Sequence, residues 1–378
     1  MKAIILVGGQ GTRLRPLSIN TPKSMVPVLN VPFLSHVLRY LSSYGIKDII
    51  LTQGHLAAPI EQYFGNGQSL GVNLVYSVEH EALGTAGAIK NAERYFDDTF
   101  ITLNGDIFTH LDLSAMLRAH RDKKALVSIA LTPVDDPTKY GLVETADGGR
   151  VSRFLEKPSP AQITTNMINA GTYIIEPEIL RYIPEGENHS FERQLFPRLL
   201  NECQAVYAYP SSAYWIDIGS PEKYSQLNRD LLCGEGGDFG FSRGNEIVIG
   251  RGCQLHPTAR ICGPVLVGED CVIGANACIT GPVVIGAECR IEDEATLTES
   301  VIWQNVTIGT ECKVVSSIIA DHCHLKAGGK YENVVLGDNV TAKCGCAPEP
   351  GSKINPGYPY DLNRDKRRKR HEYRRKEV

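Results

Sequence analysis

The sequence predicts an α/β domain followed by a parallel β-solenoid. Three observations carry that expectation. Up to about residue 230, short apolar strands alternate with helix-spaced segments. From Ile249 onward, aliphatic residues return at steps of six. The chain has 378 residues, more than one ordinary core organises. Its composition, 42% hydrophobic and 22% charged, is that of a globular chain rather than a disordered one.

Ala3–Val7 is a short, continuous apolar strand. Pro32–Tyr44 has helical spacing, with Leu34, Val37, Leu38 and Leu41 on one face. Asp48–Thr52 reads as strand, Ala57–Phe64 as helix, Asn73–Ser77 as strand, Thr85–Phe96 as helix and Thr99–Leu103 as strand. Such alternation calls for a mostly parallel sheet covered by helices on both faces. Ligands of such sheets bind beyond the carboxyl ends of the strands, so the loops after Val7 and Leu103 are the first to search.

The second half has another period. Ile249, Leu255, Ile261, Val267, Ile273, Ile279, Ile285, Ile291 and Leu297 occupy every sixth position. Four residues after each stands Cys253, Ala259, Val265, Cys271, Ala277, Val283, Cys289, Ala295 or Val301. Six residues make one face and three faces make one coil of 18, so Cys253, Cys271 and Cys289 share a column. After Leu297 the coil shortens to 17 and the stack runs on to about Ala342. Gly250, Gly268, Gly274 and Gly286 follow the aliphatic slot, where tight corners favour glycine. These shifts divide the chain into a first domain over 1–231, a glycine-rich linker over 232–244, the solenoid over 245–346 and an extension over 347–378.

Charge and cysteine usage bound the function. The net charge is −4, which gives no whole-protein reason to expect nucleic acid as a partner. No apolar run approaches the roughly 18–20 residues of a membrane span. The apolar stretch at the N-terminus is shorter than a secretory leader requires. A cytoplasmic protein with neither membrane nor nucleic-acid partner is the expectation. The 11 cysteines, none before Cys203, are an odd number in a chain too large to need staples, and read as buried free thiols. Cys344-Gly345-Cys346, with no second pair nearby, is weak for zinc. The segment from Asp361 to Val378 carries nine Lys/Arg against four Asp/Glu. It reads as a solvated tail or short cap, or as a contact for anions or an acidic neighbour.

The loop Gly8-Gly9-Gln10-Gly11-Thr12-Arg13-Leu14-Arg15-Pro16 follows the first strand directly. Its glycines let backbone N–H groups approach a phosphate closely. Arg13 and Arg15 can pair with phosphate oxygens bidentately, and Lys23 of Thr21-Pro22-Lys23 adds a second cation. No Gly-Lys-Ser/Thr follows, so this is not a Walker loop; nor is it the Gly-x-Gly-x-x-Gly of a dinucleotide fold.

Gly8-Gly9-x-Gly11-Thr12-Arg13-Leu14-x-Pro16 with Pro22-Lys23 resembles the nucleotide-sugar pyrophosphorylases, the sugar-1-phosphate nucleotidylyltransferases. The similarity spans residues 1 to about 231 and is nearest to the mannose-1-phosphate guanylyltransferases. It rests also on Leu83-Gly84-Thr85-Ala86-Gly87, Asn104-Gly105-Asp106, Tyr140-Gly141, Phe154-Leu155-Glu156-Lys157-Pro158, Ile168-Asn169-Ala170-Gly171, Ser190-Phe191-Glu192 and Trp215-Ile216-Asp217-Ile218-Gly219. A C-terminal hexapeptide β-helix also recurs in that family.

The resemblance implies a Rossmann-like, GT-A-like nucleotidyltransferase sheet followed by a left-handed parallel β-helix. It implies Mg²⁺ as cofactor, held by Asp106 and Asp217, two carboxylates suited to a hard cation. Arg13 would serve the leaving pyrophosphate and Lys23 the transferring phosphate. Gly8, Gly9, Gly11 and Thr12 would cradle the nucleotide phosphates, with Gly84 and Thr85 against the base. Glu156 would accept bonds from sugar hydroxyls and Lys157 would contact the sugar phosphate. Asn169 and Gly171 would complete the pocket and Gly141 would lend backbone contacts. Pyrimidine-specific relatives carry Gln just before the Leu-Gly step, where Ala82 stands here, which favours a purine.

The implied substrates are a nucleoside triphosphate, GTP by the wider match, and a hexose 1-phosphate. The implied reaction yields GDP-mannose and pyrophosphate. The alternatives are UTP or dTTP with glucose 1-phosphate, or a regulatory subunit with weak turnover. A solenoid acyltransferase would need a catalytic histidine. His256, His322 and His324 are candidates, but each reads as an outward, solvated side chain. Homo-oligomerisation through the β-helix is the expected role of the solenoid.

Overall fold

A computed structural model describes residues 1–9, 11–54, 57–79, 81–235 and 246–357, with backbone also at 359–360. The linker after Glu235 and the basic tail lie outside the described residues. The chain divides into two compact units. The first comprises Met1–Gln10, Pro22–Met25 and Phe33–Asp217; the second comprises Gly11–Thr21, Val26–Pro32 and Ile218–Val378.

The first unit is built on a nine-stranded sheet. Lys2–Leu6 lies at its middle, pairing in parallel with Asp48–Gln53 and with Phe100–Asn104; Asn73–Val78 adds in parallel beyond Asp48–Gln53. The remaining strands make the sheet mixed. Met167–Ile175 runs antiparallel to Phe100–Asn104 and to Val127–Pro133, and Gly141–Thr145 pairs antiparallel with Val151–Glu156. Only Val206–Pro210 is again parallel, against Val127–Pro133. Connections through helices carry the parallel half, whereas the shorter links beyond residue 133 permit reversal.

Helices fall where the apolar spacing places them, at Phe33–Ser43 and Ala57–Phe64. The third is shorter than the spacing suggests: it spans Gly84–Asn91 and gives way to a 3₁₀ turn at Glu93–Tyr95. Asp112 caps Leu113–Asp122 by accepting the Ala115 N–H at 2.9 Å. A buried core joins Ile4, Phe100, Val127, Tyr173, Phe191 and Phe196 across the sheet and its helices.

The second unit is a three-faced parallel β-helix. Its faces hold seven, seven and five strands. The registers Ile247↔Val265, Val265↔Val283 and then Val284↔Val301 reproduce the shift from 18 to 17 residues per coil. Two strands beyond residue 346, Lys353–Ile354 and Pro359–Tyr360, continue two of the faces. The stacked interior is aliphatic with Cys271, Cys289, Cys312, Cys323 and Cys346 among it, all buried.

The cysteine expectation needs correction in part. All 11 are free thiols, but Cys203, Cys262 and Cys344 are exposed. They stand outside the inward column, where nothing demands an apolar residue. The glycine corners have a different cause from tight backbone turning. A Cβ on Gly250, Gly268, Gly274 or Gly286 would come within 2.4–2.6 Å of atoms of the next coil, so close approach excludes a side chain. Left-handed backbone instead falls on Asp270, Asn276, Glu288, Asn305 and Asn339.

Trp303 and Tyr331, where the period changes, are both buried. His256, His322 and His324 are exposed. Among the described residues no helix is long and apolar enough to cross a membrane.

Candidate active site

The site in the first unit gathers at the carboxyl edge of the parallel strands. Lys2–Leu6 and Phe100–Asn104 end side by side, and the Gly105 N–H donates to the Leu6 carbonyl at 2.9 Å. A Cβ on Gly105 would sit 2.5 Å from that carbonyl oxygen, so only glycine lets the two ends close. Asp106 follows at once. Lys23 reaches it, Nζ to Oδ2 at 2.5 Å.

Asp217 ends the Trp215–Asp217 strand, which pairs antiparallel with Ile107–Thr109, and its register partner is Ile107. Asp106 is the residue before that partner, so the two acidic residues flank the same short ladder. Asp217 is buried, and its Oδ1 accepts from Tyr140 Oη at 2.9 Å. The Tyr140 ring meets Trp215 edge-on at 5.7 Å, and the Trp215 indole N–H donates to the Ala170 carbonyl at 2.9 Å.

These residues fit a hard divalent cation. Asp217 offers oxygen donors from the end of a strand and Asp106 from the turn between Phe100–Asn104 and Ile107–Thr109, and a positive charge, the Lys23 ammonium, already lies against Asp106. Among the described residues no cluster of three or more His, Cys, Asp or Glu is placed to hold a metal, so this chain would supply a partial shell.

The residues expected around the sugar come together on neighbouring strands. Gly141 is the register partner of Glu156. A Cβ there would strike the Phe154 ring at 2.6 Å and lie 3.3 Å from Glu156 Oε2. Glu156 is half-buried; desolvation, and then the Glu192 carboxylate, push its pKa up. Lys157 is exposed and left-handed at φ 51°. Asn169 bridges its neighbours, Nδ2 donating to Tyr173 Oη at 2.7 Å and Oδ1 accepting the Gly171 N–H at 3.0 Å. Gly171 has φ 68°, and a Cβ there would fall 2.7 Å from Asn104 Nδ2. The buried Asn104 Oδ1 has no hydrogen-bond partner.

Gly84 is left-handed at φ 71°, and a Cβ would stand 2.7 Å from the His189 carbonyl. That carbonyl accepts from the N–H groups of Ala86 and Gly87 at 2.9 and 3.0 Å. The Thr85 hydroxyl is already engaged: it donates to Glu192 Oε2 at 3.2 Å and accepts the Phe191 N–H at 2.9 Å. Thr85 thus joins the Gly84–Asn91 helix to the Ser190–Glu192 segment.

One carboxylate was missed in the sequence. Glu79 follows the Asn73–Val78 strand directly, at the ligand edge. Its Oε2 accepts the Leu83 N–H at 3.2 Å, Thr52 also bonds it, and its Oε1 lies 3.5 Å from where a Gly8 Cβ would be. Burial pushes its pKa up. The signal was an acidic residue placed one step past a strand. Ala82 is exposed, and its carbonyl accepts from Asn188 Nδ2 at 2.7 Å.

Gly8 and Gly9 belong to the first unit and Gly11, Thr12 and Arg13 to the second. Gly11 is left-handed at φ 59° and opens the 3₁₀ turn Thr12–Leu14. Arg13 and Arg15 are exposed, while Leu14 and Leu17 are fully buried.

Known proteins resemble this chain. Residues 2–233 match the family described as Nucleotidyl transferase, and residues 244–347 match the EIF2B subunit epsilon LbH domain. A mannose-1-phosphate guanylyltransferase of Mycobacterium tuberculosis is 37% identical over 70% of this chain and 79% of its own length. A UTP–glucose-1-phosphate uridylyltransferase of Synechocystis is 38% identical over 62% of this chain, a match that takes in 64% of the relative. The crystal structure of HddC from Yersinia pseudotuberculosis superposes with a TM-score of 0.54 at 33% identity, covering 61% of this chain and 99% of that one. The solenoid is accordingly a left-handed β-helix.

Proposed function

The chain belongs to the nucleotidyl transferase family, and from that premise we propose that it joins GTP to mannose 1-phosphate, giving GDP-mannose and pyrophosphate. The observation that carries the base is Glu79. An ionised carboxylate only accepts hydrogen bonds and has about four lone-pair sites. Leu83 and Thr52 use two of them. Guanine presents two adjacent donors, the ring N1–H and the exocyclic amine. Adenine sets a ring acceptor beside its amine, and uracil and thymine flank one N–H with two carbonyls. A carboxylate between Gly8 and Leu83 therefore favours guanine and repels the other edges.

The chemistry is a displacement at phosphorus. An oxygen of the sugar phosphate bonds to the α-phosphorus, the α–β bridging bond breaks, and pyrophosphate leaves with that electron pair. The attacking phosphate is ionised near neutral pH, so no general base is required. Catalysis is then positioning and charge stabilisation. Lys23 would neutralise the transferring phosphoryl group and Arg13 the departing pyrophosphate. Asp106 and Asp217 would hold Mg²⁺, which when bound neutralises phosphate charge. Glu156, Asn169 and the backbone at Gly141 and Gly171 would orient the sugar, with Lys157 on its phosphate. Gly9 leaves open space within 4 Å of its would-be Cβ, room that phosphate oxygens could use.

Pyrophosphate release, measured with GTP, ATP, UTP and dTTP crossed with mannose 1-phosphate and glucose 1-phosphate, tests this. Turnover confined to GTP with mannose 1-phosphate is expected. Turnover with UTP or dTTP and glucose 1-phosphate would overturn the base and the sugar while keeping the chemistry.

A further inference from the structure

The loop that carries Arg13 is anchored on the solenoid. Within the second unit, Asn20 Nδ2 donates to Asp338 Oδ2 at 3.2 Å. Asp338 sits at a solenoid corner, one residue past Gly337, and is only 6% exposed. Its other oxygen, Oδ1, is buried without a partner. A carboxylate taken out of water costs free energy unless donors satisfy it. Here the donors are the Asn20 amide and the backbone N–H of Asp321 on the preceding coil.

Asp321 supplies the internal comparison. It occupies the equivalent corner one coil earlier, and its Oδ1 accepts the Gln304 N–H at 3.0 Å. Both aspartates close the corner of the coil before them. Only Asp338 also holds the loop. Corner closure therefore accounts for Asp321 but leaves the Asn20 bond unexplained.

From Asn20 the loop is stiff back to Arg13. The Ser18 hydroxyl donates to the Gly11 carbonyl at 2.6 Å, drawing the two ends of Gly11–Ser18 together. Leu14 N–H to Gly11, Leu17 N–H to Leu14 and Ile19 N–H to Pro16 complete a run of turns over fully buried Leu14 and Leu17. A restraint at Asn20 is transmitted along such a run because few of its backbone torsions are free.

We propose that the β-helix positions the Arg13 loop through the Asn20–Asp338 bond, with Asp338 as the positioning residue. The functional consequence rests on Arg13 serving the nucleotide; the anchoring itself does not.

The test uses the full-length chain with Asn20→Ala, Asp338→Ala, the double variant and Asp321→Ala. Amide hydrogen exchange is followed over 11–21, with 99–104 as an internal control. Asn20→Ala and Asp338→Ala should each speed exchange over 11–21 by about tenfold and leave 99–104 unchanged. The double variant should match the faster single variant, since both remove one link. Asp321→Ala should leave exchange over 11–21 as in the parent. In turnover, Asn20→Ala and Asp338→Ala should raise the KM for the nucleotide about five- to tenfold and leave the KM for the sugar phosphate unchanged. Unaltered exchange over 11–21 in Asp338→Ala, or acceleration equal to that in Asp321→Ala, overturns the proposal. Faster exchange with unchanged nucleotide KM keeps the anchor and overturns the role of Arg13 instead.

Discussion

Lys23 Nζ lies 2.5 Å from Asp106 Oδ2, joining the first loop to the end of the Phe100–Asn104 strand. The pair is largely but not fully buried, with 13% and 30% of the two side chains exposed. Its position at the ligand edge gives it another meaning. Without substrates the ammonium neutralises the carboxylate; with them, each charge would turn to a phosphate or a cation. Lys23→Met should therefore lower kcat by 10²–10³-fold, about 3–4 kcal/mol of barrier, while the melting temperature moves little. Steady-state kinetics beside a thermal scan separates the two effects. A large loss of stability with preserved kcat would show the pair to be structural.

Glu79→Gln tests base selection. The amide replaces one acceptor oxygen by a donor and should raise the KM for GTP at least tenfold, with a smaller change for ATP or UTP. Burial holds the Glu79 pKa above the ordinary glutamate value. Protonation should therefore weaken GTP binding at a higher pH than a solvated glutamate would allow. Nucleotide KM values across pH 5–8 measure that limb, and it should vanish in the Gln variant.

Gly171→Ala places a methyl 2.7 Å from Asn104 Nδ2 on a backbone with φ 68°. About 1–2 kcal/mol of strain is expected. The Gly171 N–H also holds Asn169 Oδ1, so the KM for the sugar phosphate should rise about tenfold with the nucleotide KM unchanged.

Asp321→Asn should stabilise the protein above neutral pH. Burial, reinforced by the Asp338 carboxylate, raises the Asp321 pKa to about 6. In the unfolded chain the same group loses its proton near pH 3.9. Between those values the folded state holds the extra proton, so stability falls as pH rises through the window and the cost is complete above about pH 6. The Asn variant keeps the acceptor for Gln304 and carries no charge. Its advantage, about 1–3 kcal/mol at pH 8, should shrink through pH 6 and disappear below about pH 4. Urea midpoints at pH 8, 6 and 4 check the sign.

Trp303→Phe should cost about 2–3 kcal/mol. The indole N–H donates to Tyr224 Oη at 2.9 Å, and that hydroxyl donates to the Pro27 carbonyl. Both rings are buried, so the smaller ring leaves a void and a less satisfied hydroxyl. Tyr224→Phe alone should cost less, and a lowered urea midpoint of the solenoid in both variants would establish the order.

Much of this was legible in one dimension because its causes are local. The hexapeptide step announces the β-helix, since each coil repeats the demand of the one before it. Gly105 marks a close backbone approach, and Gly141 and Gly171 stand where a Cβ would strike the Phe154 and Asn104 side chains. Glu79 was not legible in that way. Its meaning depends on Gly8 and Thr52, brought to it by separate strands, as well as on Leu83 four residues on. Asp338 was hidden for the same reason: its partner is 318 residues away.

The sequence by itself determined the order of elements, the period of the solenoid and the chemistry available at each strand end. Periodicity and glycine placement are properties of neighbours along the chain, and they survive without knowledge of the fold. Only the tertiary structure decided which carboxylates share a place, which hydroxyls are already engaged, and that the Arg13 loop is held by the β-helix. Those are matters of distance and desolvation between residues remote in sequence, and a linear pattern carries neither.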